Sequence, residues 1–145
     1  IMKYFFFLIF FISIFTHADE YNLKILGENF IKEISVNDEK LQIAETNFKW
    51  TDSEANFGKG HCLGSINTIA KEVQLNFLCE FQDYEGESFW TKIYRKSSEV
   101  SSGIGMQKYI KVTRKYKKLL HKECKYAVSW FDKTSFLIEQ KCSLE

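Results

Sequence analysis

The sequence predicts an all-β protein, an antiparallel barrel of eight or nine strands or, as the alternative, a β-sandwich. Three observations point there. Beyond residue 18 no stretch sustains a helical apolar period with a cap and a stop; short runs rich in Phe, Tyr, Ile, Val, Leu and Thr alternate with Asp, Asn, Gly, Ser and Lys clusters at spacings of roughly 8–12 residues; and the four cysteines sit where paired strands would bring them together.

The first 18 residues are a different object. Met2 and Lys3 give a short positive start, residues 4–15 (YFFFLIFFISIF) are apolar apart from one serine, and Thr16-His17-Ala18 puts small residues where a signal peptidase cuts. The segment reads as a secretory signal peptide cleaved after Ala18. As a helix it would cover only about 18 Å of the ~30 Å hydrocarbon core, so no stable membrane anchor is expected. The mature protein is then one barrel domain over residues 19–145 in an oxidising space, periplasmic or secreted. The whole chain has a formal net charge of +1, but removal of Lys3 with the signal leaves 19 basic against 19 acidic side chains. That balance hides a split: residues 19–100 carry −6 and residues 101–145 carry +6. A polarised molecule follows only if the two sequence halves form separate faces.

The expected strands are 21–26, 30–36, 41–50, 61–68, 73–82, 88–95, 104–113, 124–131 and 135–142. A helix near 28–34 is the alternative for the second of these. The most loop-like stretches are 51–60 and 96–103. A hairpin turn is expected at Asp83-Tyr84-Glu85-Gly86-Glu87, where glycine supplies the positive φ of a tight turn. Its three acids also suggest calcium, but the twelve-residue ligand spacing is missing and a solvated turn is the better reading.

Register narrows the three possible cysteine pairings. Setting Cys124 opposite Cys142 also pairs Tyr126 with Gln140, Val128 with Ile138 and Trp130 with Phe136, around a turn at Asp132-Lys133-Thr134. The opposite parity then holds mainly polar residues, as a half-buried strand pair needs. Setting Cys62 opposite Cys79 pairs Gly64 with Phe77, Ile66 with Leu75 and Thr68 with Val73, with the same result. The favoured bridges are therefore 62–79 and 124–142, each adding about 3 kcal/mol by restricting the unfolded chain.

Catalytic signals are sparse. His61 and His121 lie beside cysteines already assigned to disulfides, and a zinc site would need reduced thiols at C-x-x-C spacing that is absent. No nucleophile elbow, H-E-x-x-H or phosphate-binding glycine loop occurs. No catalytic residue, metal or cofactor is expected. Two binding features remain. Lys108, Lys111, Arg114, Lys115, Lys117, Lys118, Lys122 and Lys125 face the single acid Glu123, a local charge of +7 that suits an anionic surface or partner protein, or else merely solvates strands. Nucleic acid is disfavoured by compartment. The aromatic residues Trp50, Phe77, Trp90, Trp130 and Phe136 would fill a core, or line a small-ligand cavity if the barrel has spare volume.

The segment Thr113-Arg114-Lys115-Tyr116-Lys117-Lys118-Leu119-Leu120-His121-Lys122-Glu123-Cys124-Lys125-Tyr126 resembles the T-G-K-Y-x-G-L-x-G-x-C-x-Y strand of small exported bacterial β-barrel proteins of uncharacterised role, a motif itself similar to strands of allene oxide cyclase and dirigent barrels. Gly58 to Gly64, Cys79-Glu80, Asp83 through Gly86 to Trp90 and Arg95, and Gly103-Ile104-Gly105 fit the same loose pattern. Arg114, Lys118 and His121-Lys122 stand where that motif prefers small residues or glycine. The resemblance covers roughly residues 48–142 and implies an eight- or nine-stranded barrel of lipocalin-like or allene-oxide-cyclase-like form, with inward disulfides and no transferable catalytic residue. Ser88-Phe89-Trp90-Thr91-Lys92 is similar to a short stretch of periplasmic lysozyme inhibitors. The expected function is non-enzymatic binding of a small ligand or partner protein, with an enzyme inhibitor or a cyclase- or isomerase-like enzyme as alternatives.

Overall fold

The structure, a computed structural model, describes residues 19–98 and 103–145. The expected signal peptide and its cleavage site lie outside the described residues, as does part of the 96–103 loop. Eight strands, β1 (Glu20–Val36), β2 (Glu39–Asp52), β3 (Phe57–Ile69), β4 (Glu72–Asp83), β5 (Ser88–Ser97), β6 (Ile104–Val112), β7 (Glu123–Trp130) and β8 (Ser135–Ser143), pair antiparallel in chain order. β8 returns to β1, from Glu20 opposite Ser143 to Glu28 opposite Ser135, and closes a barrel. Closure removes the unpaired edges that a sandwich would leave.

The strand count is settled by residues 27–29. The sequence suggests a break or a helix between the runs 21–26 and 30–36, but the structure has one 17-residue strand there. Inward alternation continues unbroken through Leu23, Ile25, Gly27 and Asn29. Gly27 permits this rather than ending the strand: a Cβ on it would lie 2.8 Å from the Phe136 ring and 2.9 Å from Phe48 Cβ. Beyond Asn29 both faces of β1 are exposed, and it pairs with β2 as far as Val36 opposite Glu39. This ribbon therefore projects past the barrel wall and carries Phe30, Ile34, Leu41 and Ile43 in the open.

The expected loop 51–60 shrinks to residues 53–56. Asp52 holds it, its Oδ1 accepting the backbone N–H groups of Glu54 at 2.9 Å and Asn56 at 2.8 Å. The 113–126 segment, likened above to a strand, begins instead with a 3-10 helix, η1 (Arg114–Leu119), before β7. The chain then turns at His121, whose φ of 65° lies in the left-handed region that favours glycine.

Both hairpin disulfides form in the register derived above. Cys62–Cys79 spans 4.1 Å between Cα atoms and Cys124–Cys142 spans 4.6 Å, distances typical of directly opposed antiparallel residues. Each neighbouring pair also matches, from Gly64 with Phe77 to Trp130 with Phe136. The Asp83–Glu87 turn joins β4 to β5 as expected, with Gly86 at φ 87°.

The two halves of the barrel interior differ. At the end reached by the starts of β1, β3, β5 and β7, Trp50, Phe81, Phe89 and Tyr116 form one aromatic stack, with Phe81 and Phe89 centroids 4.4 Å apart and Phe89 and Tyr116 4.9 Å apart. Helix η1 plugs this end with Tyr116 and Leu119, both essentially inaccessible. The opposite end is bounded by the β1–β2, β3–β4 and β7–β8 turns, and no helix covers it among the described residues.

Candidate functional site

In the unplugged half, inward side chains from seven strands leave a cavity of about 70 Å³ rather than a filled core. Six apolar residues serve to define it: Ile25, Phe48, Ile66, Phe77, Ile93 and Val128. These positions follow from alternation alone, since each lies at inward parity on its strand. The glycines keep the walls close: a Cβ on Gly64 would meet the Phe77 ring at 2.5 Å, and one on Gly105 would meet the Tyr126 ring at 2.2 Å. A void of this size is narrow, suited to a slender alkyl or small ring group and not to a bulky ligand.

Polar groups enter this lining at few points. On the β1–β2 wall the Thr46 hydroxyl donates to Asn29 Oδ1, so these two buried residues satisfy each other. On the opposite wall stand Arg95, which is 5% exposed, and Tyr126. Burial pushes the Tyr126 phenol up to about 12 against a partial opposing effect of the Arg95 charge, so it remains a neutral hydrogen-bonding group. Among the described residues, Arg95 is the one charged residue in the lining.

The sequence-derived residues divide. Phe77, Trp130 and Phe136 line the cavity, and the last two pack edge to face at 5.4 Å. Trp50 does not: it belongs to the aromatic stack of the plugged end, donating its indole N–H to the Lys59 carbonyl at 3.2 Å. Trp90 lies on the outer face at a register shift of β5, with Lys111 Nζ 4.5 Å above its ring. Alternation between the buried Phe89 and Thr91 turns it outward, and the extra residue of the register shift, Ile110, lies on β6. Arg95 was noted in sequence only within a resemblance, although its parity on β5, two residues beyond the inward Ile93, is the signal that finds it.

The basic run does not make one uniform face. Lys115 binds Asp83 and Glu85, each at 2.7 Å, Lys118 pairs with Glu54, and Lys122 donates to the carbonyls of Leu144 and Glu145. Lys111 covers Trp90, while Lys108 and Lys125 lie exposed on the outer faces of β6 and β7 and Arg114 and Lys117 on η1. Ion pairs of Lys115 with Asp83 and Glu85 and of Lys118 with Glu54 join the acidic front of the sequence to its basic back. Sequence halves are therefore not separate faces.

Asp83 organises the plugged end. Its side chain is wholly buried, its Oδ2 accepts from Lys115 and from the Tyr116 hydroxyl at 2.8 Å, and its Oδ1 accepts the backbone N–H groups of Glu85 and Glu87. Burial alone would raise this carboxyl, but the Lys115, Tyr116 and backbone donors outweigh it and hold it below the ordinary aspartate value. Asp83 and Glu85 of this turn are thus engaged by protein donors. All four cysteines are in disulfides, and among the described residues no group of three or more His, Cys, Asp or Glu side chains comes together in metal-binding geometry. Compared with known proteins, the chain matches no family model and no curated sequence.

Proposed function

We propose that this protein is an exported, non-enzymatic barrel that holds a slender apolar molecule in the unplugged half of its interior. The observation that carries the reading is the contrast within one barrel: aromatic side chains fill the plugged half, whereas apolar side chains line a void in the other. Evolution of a purely structural core fills such space, because each unfilled methyl-sized gap costs about 1 kcal/mol. Export fits the two buried disulfides, which persist in oxidising compartments, and the signal-like segment over residues 2–18; a periplasmic or secreted location is part of the proposal. So is kinship with exported and allene-oxide-cyclase-like barrels, which rests on the 113–126 segment and the glycine pattern of β3. An inhibitor acting through a protruding 51–60 loop gains less support, since only residues 53–56 lie outside strands and Asp52 pins them.

Titration of the oxidised protein with 1-octanol, followed by the methyl NMR shifts of Ile66, Ile93 and Ile138, tests the reading. Burial of the chain at ~0.8 kcal/mol per CH₂, less the cost of association, predicts a dissociation constant between roughly 10 µM and 1 mM. Shifts confined to these interior methyls support it; shifts only at outer methyls such as Ile43, or none, overturn it.

A further inference from the structure

We infer that the projecting β1–β2 ribbon is a dimerisation edge, on which β1 beyond Asn29 pairs antiparallel with the same segment of a second copy of this chain. This contact is independent of the cavity. β1 is flanked on both sides only as far as Glu28 opposite Ser135, with the Asn29 N–H donating to the Thr134 carbonyl at 3.0 Å. From Phe30 to Val36 it pairs with β2 alone. Backbone groups of an antiparallel strand alternate sides residue by residue, and those of Asn29 point to the β8 side. Ile31, Glu33 and Ser35 therefore turn both N–H and C=O to an open edge, with no backbone partner among the described residues. Natural edges are blunted by proline, a bulge or a covering element. This chain has no proline, the β1–β2 register runs without a shift to Val36, and Phe30, Ile34 and Val36 stand 59%, 70% and 62% exposed along the edge.

A bare strand edge takes an extended chain, and a two-fold axis normal to the sheet presents this edge antiparallel to itself. The register follows from charge and from what is already paired. Centring on Glu33 would set the two Glu33 side chains opposite each other and drive the turn at Asn37 of the second copy onto Asn29, whose N–H Thr134 already holds. Centring on Lys32 would oppose two lysines and drive that turn deeper. Centring on Ser35 would call on Asn37, which at φ 53° has left the strand, as a bonding partner. Centring on Ile34 avoids all of these. Glu33 of each copy then exchanges both N–H···O bonds with Ser35 of the other, and Ile34 meets its own copy, with Leu41 opposite it on β2 extending the apolar contact. Glu33 brings no unpaired charge to the seam, since its carboxylate is held by Lys40 Nζ at 2.7 Å and Gln42 Nε2 at 2.9 Å. A contact of this length buries on the order of 400 Å² a side, the low end for specific interfaces, so the dimer is a weak one.

Analytical ultracentrifugation of the oxidised protein from about 1 µM to about 1 mM tests this, with a dimer dissociation constant of roughly 10–300 µM expected. S35P removes an N–H that β2 does not use and should weaken the dimer at least about tenfold; L78E, which alters an exposed residue on the outer face of β4 away from the ribbon, should leave it within about threefold. Hydrogen exchange on the unaltered protein reads the same contact without any variant: the Glu33 and Ser35 amides should exchange freely when dilute and gain protection as concentration rises. A protein still monomeric at about 1 mM overturns the inference. So does a dimer that S35P leaves intact, one that L78E dissociates, or one in which the Glu33 and Ser35 amides gain no protection.

Discussion

The ring of Tyr126 occupies the space that a side chain at position 105 would need, for a Cβ on Gly105 would stand 2.2 Å from Tyr126 Cζ. The two residues face each other across β6 and β7, where Tyr126 lines the cavity. A methyl group there must displace the ring. G105A is expected to cost about 1–3 kcal/mol in urea denaturation, and Y126L, which removes the ring edge, should recover much of that loss in the double variant. An additive double variant would contradict the contact.

Loss of the β3–β4 bridge in C62A/C79A is expected to lower stability by about 3 kcal/mol, because the reduced unfolded chain regains the freedom of a loop whose ends are 17 residues apart. Non-reducing peptide mapping of the unaltered protein should recover only the peptides joined at 62–79 and 124–142. A peptide joining Cys62 to Cys124 would contradict the register.

Asp83 is the tie between the plug and the barrel, so D83N should destabilise by about 2 kcal/mol, since an amide cannot replace the charge-assisted bonds to Lys115 and Tyr116. Hydrogen exchange should rise first in η1. Unchanged protection of Tyr116 and Leu119 in this variant would contradict the assignment.

The same carboxylate sets an acid limit. Its folded-state value is depressed, so it contributes stability that is fully present above the ordinary aspartate value of 3.8 and is lost as pH falls through the depressed value. Asp132, held down to about 2 by the backbone N–H groups of Ser135 and Thr134, acts in the same direction at the β7–β8 turn. Urea midpoints should be flat from pH 7 to about pH 5 and fall below pH 4. D83N should flatten part of that fall, and an unchanged slope would contradict it.

Much of this barrel was legible before any coordinate. Alternation and cysteine register fixed two hairpins residue by residue, because a slip of one would bury lysines and expose Phe77 and Phe136. Where the reading failed, the competing physics was local. Residues 27–29 read as a gap between two strands, yet Gly27 is the residue that lets Phe48 and Phe136 close over β1. The basic 113–126 run hid a plug because its two inward residues, Tyr116 and Leu119, follow a 3-10 rather than a strand spacing. Which aromatics fill and which line a space depended on their height along the barrel, and that is set by strand stagger, which alternation does not encode. Phe77, Trp130 and Phe136 proved to lie at one level, Trp50 at another, and Trp90 outside altogether.

The most direct test of an interior ligand site is to locate a bound chain. Crystals grown with 8-bromo-1-octanol should show a bromine anomalous peak inside the barrel, within contact distance of Phe77, Ile93 or Val128, and I66W, which fills that space, should abolish it. A peak only on the outer apolar stripe of Phe30, Ile34 and Ile43, or a peak that survives in I66W, would contradict the account.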